Sequence, residues 1–214
     1  MPQAPSPKPS GLDATPAMPR GGARVARVVS DLFSPPVLAI AMAMAAALLV
    51  DDPDVWRFVL IFVGIGIIAP VLDVLWLLRA GRIADFHLTQ RHERIRPFAV
   101  SLLATFVATC LLWWAGAPRL MVLLGVAALA QTVLLFVLTL SWKVSVHAAA
   151  TGAMAALAGM GWGLTAAGLL PLLLVPLVGW ARVCLRRHTP AQVAVGVVIG
   201  AGTMALAMRG LLWG

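Results

Sequence analysis

Charge is scarce in this chain. Only 11% of its 214 residues are Asp, Glu, Lys or Arg, while 61% are hydrophobic and the mean hydropathy is +0.96. That balance excludes a soluble globular domain and predicts a polytopic membrane protein. Cysteine is also scarce. Cys110 and Cys184 lie in or beside different apolar runs, which leaves neither a disulfide framework nor a zinc-ligand spacing. Acidic residues number eight against sixteen Lys and Arg, for a formal charge of +8. The arginines cluster at the edges of apolar segments, so lipid head groups or phosphate substrates are the expected partners, and nucleic acid is not. The first 28 residues are rich in Pro, Gly, Ala and Ser and have no apolar core. They read as a disordered tail and not a signal peptide, with residues 29–214 as one membrane domain.

What the chain has in abundance is apolar runs. These predict helices near 32–50, 55–78, 98–115, 119–141 and 189–212. The stretch from about 144 to 184 is too long for one span and contains Gly159, Gly161, Gly163, Gly168 and Pro171. It predicts two helices with a turn near 161–168. The expected fold is an all-α transmembrane bundle of six to seven spans, with Trp56, Trp76, Trp113, Trp114, Trp142, Trp180 and Trp213 as interfacial anchors. With the tail and the 79–97, 141–146 and 182–188 loops on one side, thirteen of the sixteen basic residues fall there, and Arg57, Arg119 and Arg209 fall on the other. The positive-inside rule makes the basic side cytoplasmic. The Ala, Val, Leu and Arg bias suggests a bacterial cytoplasmic membrane. His87, His92, His147 and His188 share the basic side, because an even number of spans separates their loops.

Three segments on that side carry candidate chemistry. In "GRIADFHLTQRHERIRPF" Arg91 and Arg94 are three apart, and Arg96-Pro97 precedes a helix. Such planar donors suit phosphate oxygens, although a basic juxtamembrane loop has the same look. In "SWKVSVHAAATG" Lys143, Ser145 and His147 alternate ahead of a helix, placing Ser145 as its N-cap and His147 on its first turn. In "ARVCLRRHTPAQ" Thr189, Pro190 and Gln192 form a helix start with a capping box. His188 therefore sits just ahead of a helix N-terminus, whose amides and dipole favour an anion, and Arg182 closes the preceding helix within reach of the same anion. Elsewhere, Asp73 is an intramembrane carboxylate expected to pair with Arg79 or an arginine of a neighbouring helix. Gly196 and Gly200 read as helix packing, with dimerisation as a weaker reading.

Arg182-x5-His188-x3-Gln192 resembles the third signature of the type 2 phosphatidic acid phosphatase superfamily, Ser-Arg-x5-His-x3-Asp. Val144-Ser145-Val146-His147 is similar to its second, Pro-Ser-Gly-His. The 87–97 loop resembles its first, Lys-x6-Arg-Pro, in either of two alignments: Arg96-Pro97 keeps the Arg-Pro pair, and Arg94 keeps the spacing to His87. The resemblance runs from about residue 81 to 200. It implies a metal-independent hydrolase of lipid phosphates, with no cofactor, in which His188 attacks phosphorus and His147 protonates the leaving alkoxide. Arg182, Arg91, Arg94 or Arg96, Lys143 and Ser145 would hold the phosphoryl oxygens. Besides the second signature, which keeps only its Ser and His, three departures bear on the activity: Ala181 replaces Ser, the first-signature Lys is missing or replaced, and Gln192 replaces Asp. A Gln carbonyl can orient the histidine but brings no charge. The expected activity is hydrolysis of an isoprenoid or glycerolipid phosphate or diphosphate, and an oligomer is possible. The alternatives are a non-catalytic protein that binds a lipid phosphate, or a membrane prenyltransferase. The latter needs paired Asp-rich motifs for Mg²⁺, where this chain has only Asp85 and Glu93 in one loop.

Overall fold

A computed structural model of the chain describes residues 20–83 and 95–212. Among the described residues it is 84% helix without strands, as expected of a helical membrane bundle. Eight helices follow one another: α1 (Arg20–Leu32), α2 (Pro35–Leu48), α3 (Val55–Arg79), α4 (Ile95–Trp114), α5 (Arg119–Ser141), α6 (Val146–Trp162), α7 (Ala166–Cys184) and α8 (Pro190–Leu212). Five of them, α3, α4, α5, α7 and α8, are long and apolar enough to cross a membrane, and the bent pair α1–α2 would make a sixth. α6, at 17 residues, lies at the short limit for a span. The break predicted inside 144–184 falls at Gly163, which has a φ of +60°.

Residues 20–28, read from composition as part of a disordered tail, instead belong to α1. The helix forms because one face, with Ala26 and Ser30 fully buried, packs on α7. Val25, Val28 and Leu32 stay exposed. The Ser34-Pro35-Pro36 start of α2 imposes a 46° bend after α1. α3 is interrupted by a π-helical stretch, Phe62–Ile68, directly ahead of Pro70. Such π turns insert a residue and shift the facing side chains, frequently at functional sites.

α6 is the centre of the bundle, and its sequence explains why. Nearly every residue from His147 to Ala158 is buried, and most are Ala, Gly or Thr, so neighbouring backbones come close. Against α8 the approach is tightest. A Cβ on Gly196 would lie 2.5 Å from the Ser145 carbonyl oxygen, one on Gly152 would lie 2.5 Å from that of Val197, and one on Gly200 would collide with Ala149. Gly196 and Gly200 thus pack within the chain. The main core gathers Met42, Phe58, Phe62, Leu112, Met121, Leu157 and Met204 from six helices. The outer faces carry large apolar residues such as Leu60, Trp113, Val198 and Leu206, as lipid-facing surfaces do.

Candidate active site

The second and third segments meet. The Ser145 amide donates to the Gln192 carbonyl at 3.3 Å, which ties the start of α6 to the start of α8. Ser145 is fully buried and caps α6, its Oγ accepting from the Ala148 amide at 3.3 Å. His147 follows on the first turn, 8% exposed, as the sequence suggests. Behind it Val144, Leu135 and Ala149 form a small apolar cluster with Phe98 and Val195, which holds the 142–147 segment in place.

The stretch 182–188 is shaped by the end of α7. The Arg187 amide donates to the Arg182 carbonyl at 3.1 Å, and the Arg186 amide to that of Val183 at 2.8 Å. This is a Schellman cap with Arg186 at the left-handed position, φ +52°. Two other helix ends use the same pattern, with Gly81 and Gly116 in that position. Arg182 is 4% exposed, and its Nη1 donates to Ser30 Oγ on α1 at 2.8 Å. An arginine that deeply buried requires compensation, and α1 supplies part of it.

A cavity of about 610 Å³ opens onto these residues, within the usual range of small-molecule sites. Its polar end is lined by Lys143, His147, Arg182, Arg186, Arg187 and His188. Its other walls are apolar and come from the interior of the bundle, including Phe62, Gly66 and Pro70 of α3, Leu124 and Ala127 of α5, Ala153 of α6 and Met204 of α8. The π-helical stretch contributes Phe62, Gly66 and Ile67 to that wall. Gln131 and Thr132 add polar groups part-way along it.

Of the site residues expected from sequence, Lys143, His147, Arg182 and His188 share the cavity wall. Ser145 and Gln192 are engaged in caps. The Gln192 Oε1 accepts from the Thr189 amide at 3.1 Å, and the Gln192 amide donates to Thr189 Oγ1 at 3.3 Å, a reciprocal capping box. The Nδ1 atom of His188 makes no hydrogen bond, so Gln192 does not hold that ring as an Asp would, although His188 has other interactions. Arg96 donates from Nη2 to Asp73 Oδ1 at 2.8 Å and lies over the Trp76 ring at 5.0 Å. Asp73 therefore pairs with a neighbouring-helix arginine, one of its two expected partners. Arg91, Arg94, His87 and His92 lie outside the described residues. Arg186, Arg187 and Ser30 were missed as site residues. Adjacency to His188 is the signal for the two arginines, whereas nothing in the sequence links Ser30 to Arg182, 152 positions away.

His147 and His188 thus share one cavity wall with Lys143, Arg182, Arg186 and Arg187 inside an apolar helical bundle with five to six candidate membrane spans. The family comparison agrees: residues 70–213 match the model of the PAP2 superfamily, and the chain belongs to that superfamily. No curated protein and no solved structure matches it. Members of the superfamily are generally phosphatases, and membership suggests a phosphatase of lipid phosphates.

Proposed function

We propose that the protein hydrolyses an isoprenoid or glycerolipid phosphate or diphosphate through a phosphohistidine on His188, without a metal ion. The observation that carries this reading is the single cavity joining His147, His188, Arg182 and Lys143 to an apolar interior. The lipid's phosphate would enter at the charged end while its tail remains among the apolar helices. His188 attacks phosphorus, and His147 supplies a proton to the departing alkoxide, a role typically worth about 10² to 10⁴ in rate. Arg182 and Lys143 hold the equatorial oxygens. Phosphoryl transfer needs mainly positioning and charge stabilisation, and fixed guanidiniums beside a helix N-terminus supply both.

Gln192 favours one second reading. Because its side chain completes the capping box, that second reading is a protein that holds a lipid phosphate without turning it over. One assay separates the two. Phosphate release by the purified protein in detergent with EDTA is measured across phosphatidate, phosphatidylglycerol phosphate and polyprenyl phosphates, beside His188→Ala. Release that persists in EDTA and disappears in the variant supports the enzyme. Absence of release from every substrate, with phosphate still bound, leaves the binding protein.

A further inference from the structure

Small residues line the cavity where it runs through the bundle, and large ones stand at its deep end. On α5 the wall passes from Ala128 and Ala127 to Leu124, and on α3 from Gly66 to Phe62. On α6 it consists of Ala150 and Ala153. Leu157, one turn beyond Ala153, is fully buried in the core. Small side chains leave room between helices and large ones fill it, so the sequence of these helices builds an open shaft above a packed floor.

The depth of the floor follows from helix geometry. Leu124 and Met204 lie about 20 to 25 Å along α5 and α8 from the helix ends beside Lys143 and His188, at a rise of about 1.5 Å per residue. Phe62 is about as far from Arg79, at the corresponding end of α3. These three residues line the cavity and are only 4%, 3% and 3% exposed for Phe62, Leu124 and Met204. One turn further on, Phe58, Met121 and Met208 are buried in the same core cluster and lie outside the cavity wall. The shaft therefore stops inside a hydrocarbon core about 30 Å thick.

We infer that Phe62, Leu124 and Met204 set the longest hydrocarbon tail the site accepts. The inference rests on the reading that a lipid's phosphate occupies the charged end, because that anchor fixes where the tail begins. A tail that leaves the bilayer for the shaft exchanges one hydrocarbon surrounding for another, so added length brings little gain while room remains. Once the tail reaches the floor, each further methylene must force close-packed side chains apart or draw the phosphate away from His188 and Arg182. Selection is by an upper limit on length and not by a preference for the longest tail.

The test uses the full chain in mixed detergent micelles with straight-chain alkyl phosphates, from decyl to docosyl, all at one mole fraction. Phosphate release gives kcat/KM, and displacement of a fluorescent alkyl phosphate gives binding on the same samples. Ala127→Leu fills part of the shaft above the floor, and Met204→Ala lowers the floor. The wild type is expected to treat the shorter members alike and then to lose about tenfold or more beyond one chain length, the scale of a mild overpacking penalty. Ala127→Leu should move that break to tails shorter by about 5 Å, one helical turn, and Met204→Ala should move it to longer ones. Ala127→Leu adds atoms where space exists, so it decides alone if Met204→Ala fails to fold. A profile without a break, or a break at the wild-type length in folded Ala127→Leu, overturns the inference. If the wild type releases phosphate from no member, the phosphatase reading fails and displacement decides the length limit. A limit that Ala127→Leu shortens supports the inference; displacement independent of length refutes it.

Discussion

Ser30 lies 152 positions before the arginine it bonds, and both side chains are buried. Removing the hydroxyl takes one acceptor from the buried Arg182 guanidinium, at a cost of about 1–3 kcal/mol. Ser30→Ala should therefore lower the thermal unfolding temperature in detergent and weaken binding of inorganic phosphate, while Ser30→Thr retains both. An unchanged phosphate affinity in Ser30→Ala would show that α1 does not position Arg182. Arg96 makes the opposite case. Bonded to Asp73 and lying over Trp76, it should affect melting more than catalysis. Arg96→Ala is expected to lower stability while keeping KM for the lipid phosphate within about threefold, which is a negligible energy on this scale; a large rise in KM would return Arg96 to the phosphate clamp. Lys143, His147, Arg182 and His188 were legible in the sequence because each lies in a short segment whose spacing is local. Arg186 was not, since a Schellman cap is read from glycine and this one has none.

At the scale of helices, the α6–α8 contact is the least tolerant of change. A methyl group on Gly200 meets the backbone of Ala149, and backbone cannot swing aside as a flexible side chain can. Gly200→Ala should destabilise by about 1–3 kcal/mol or more through overpacking, with a lower melting temperature and loss of phosphate release, because the same two helices carry His147 and His188. A melting temperature equal to wild type would mean that the helices separate easily. The small-residue spacing on α8 was visible in sequence, but its partner was not. Spacing reports that something comes close and does not say whether it is a second copy or the next helix. α1 escaped notice for another reason. Its Gly, Ala and Arg composition resembles a tail, and only packing of Ala26 and Ser30 on α7 makes it a helix. The π-helical stretch in α3 likewise has no periodic signal, since one extra residue per turn leaves the apolar run unbroken.

For the molecule as a whole, the positions of the helices were legible because about twenty apolar residues must be present wherever a bilayer is crossed. The meeting of two distant loops at one end also followed from counting spans. The shape of the cavity did not, because it depends on which small residues let helices close and which turns hold them apart. The charge asymmetry predicts that Ser141 faces the cytoplasm and Ala115 the opposite side. In a background with Cys110 and Cys184 replaced by Ser, Ser141→Cys should react with an impermeant maleimide only after the cytoplasmic face is exposed, and Ala115→Cys from the other face. The reverse pattern would place the site outside.

The cavity's division into a charged head and an apolar interior has a further consequence under the proposed reaction. The two products part company. Inorganic phosphate, attracted only to the cationic end, departs into water, whereas the dephosphorylated lipid has lost the charge that anchored it there and withdraws sideways into the bilayer. Turnover would thus be governed by two independent exits, with dissolved phosphate slowing the enzyme by occupying the head while membrane fluidity sets how quickly the tail clears.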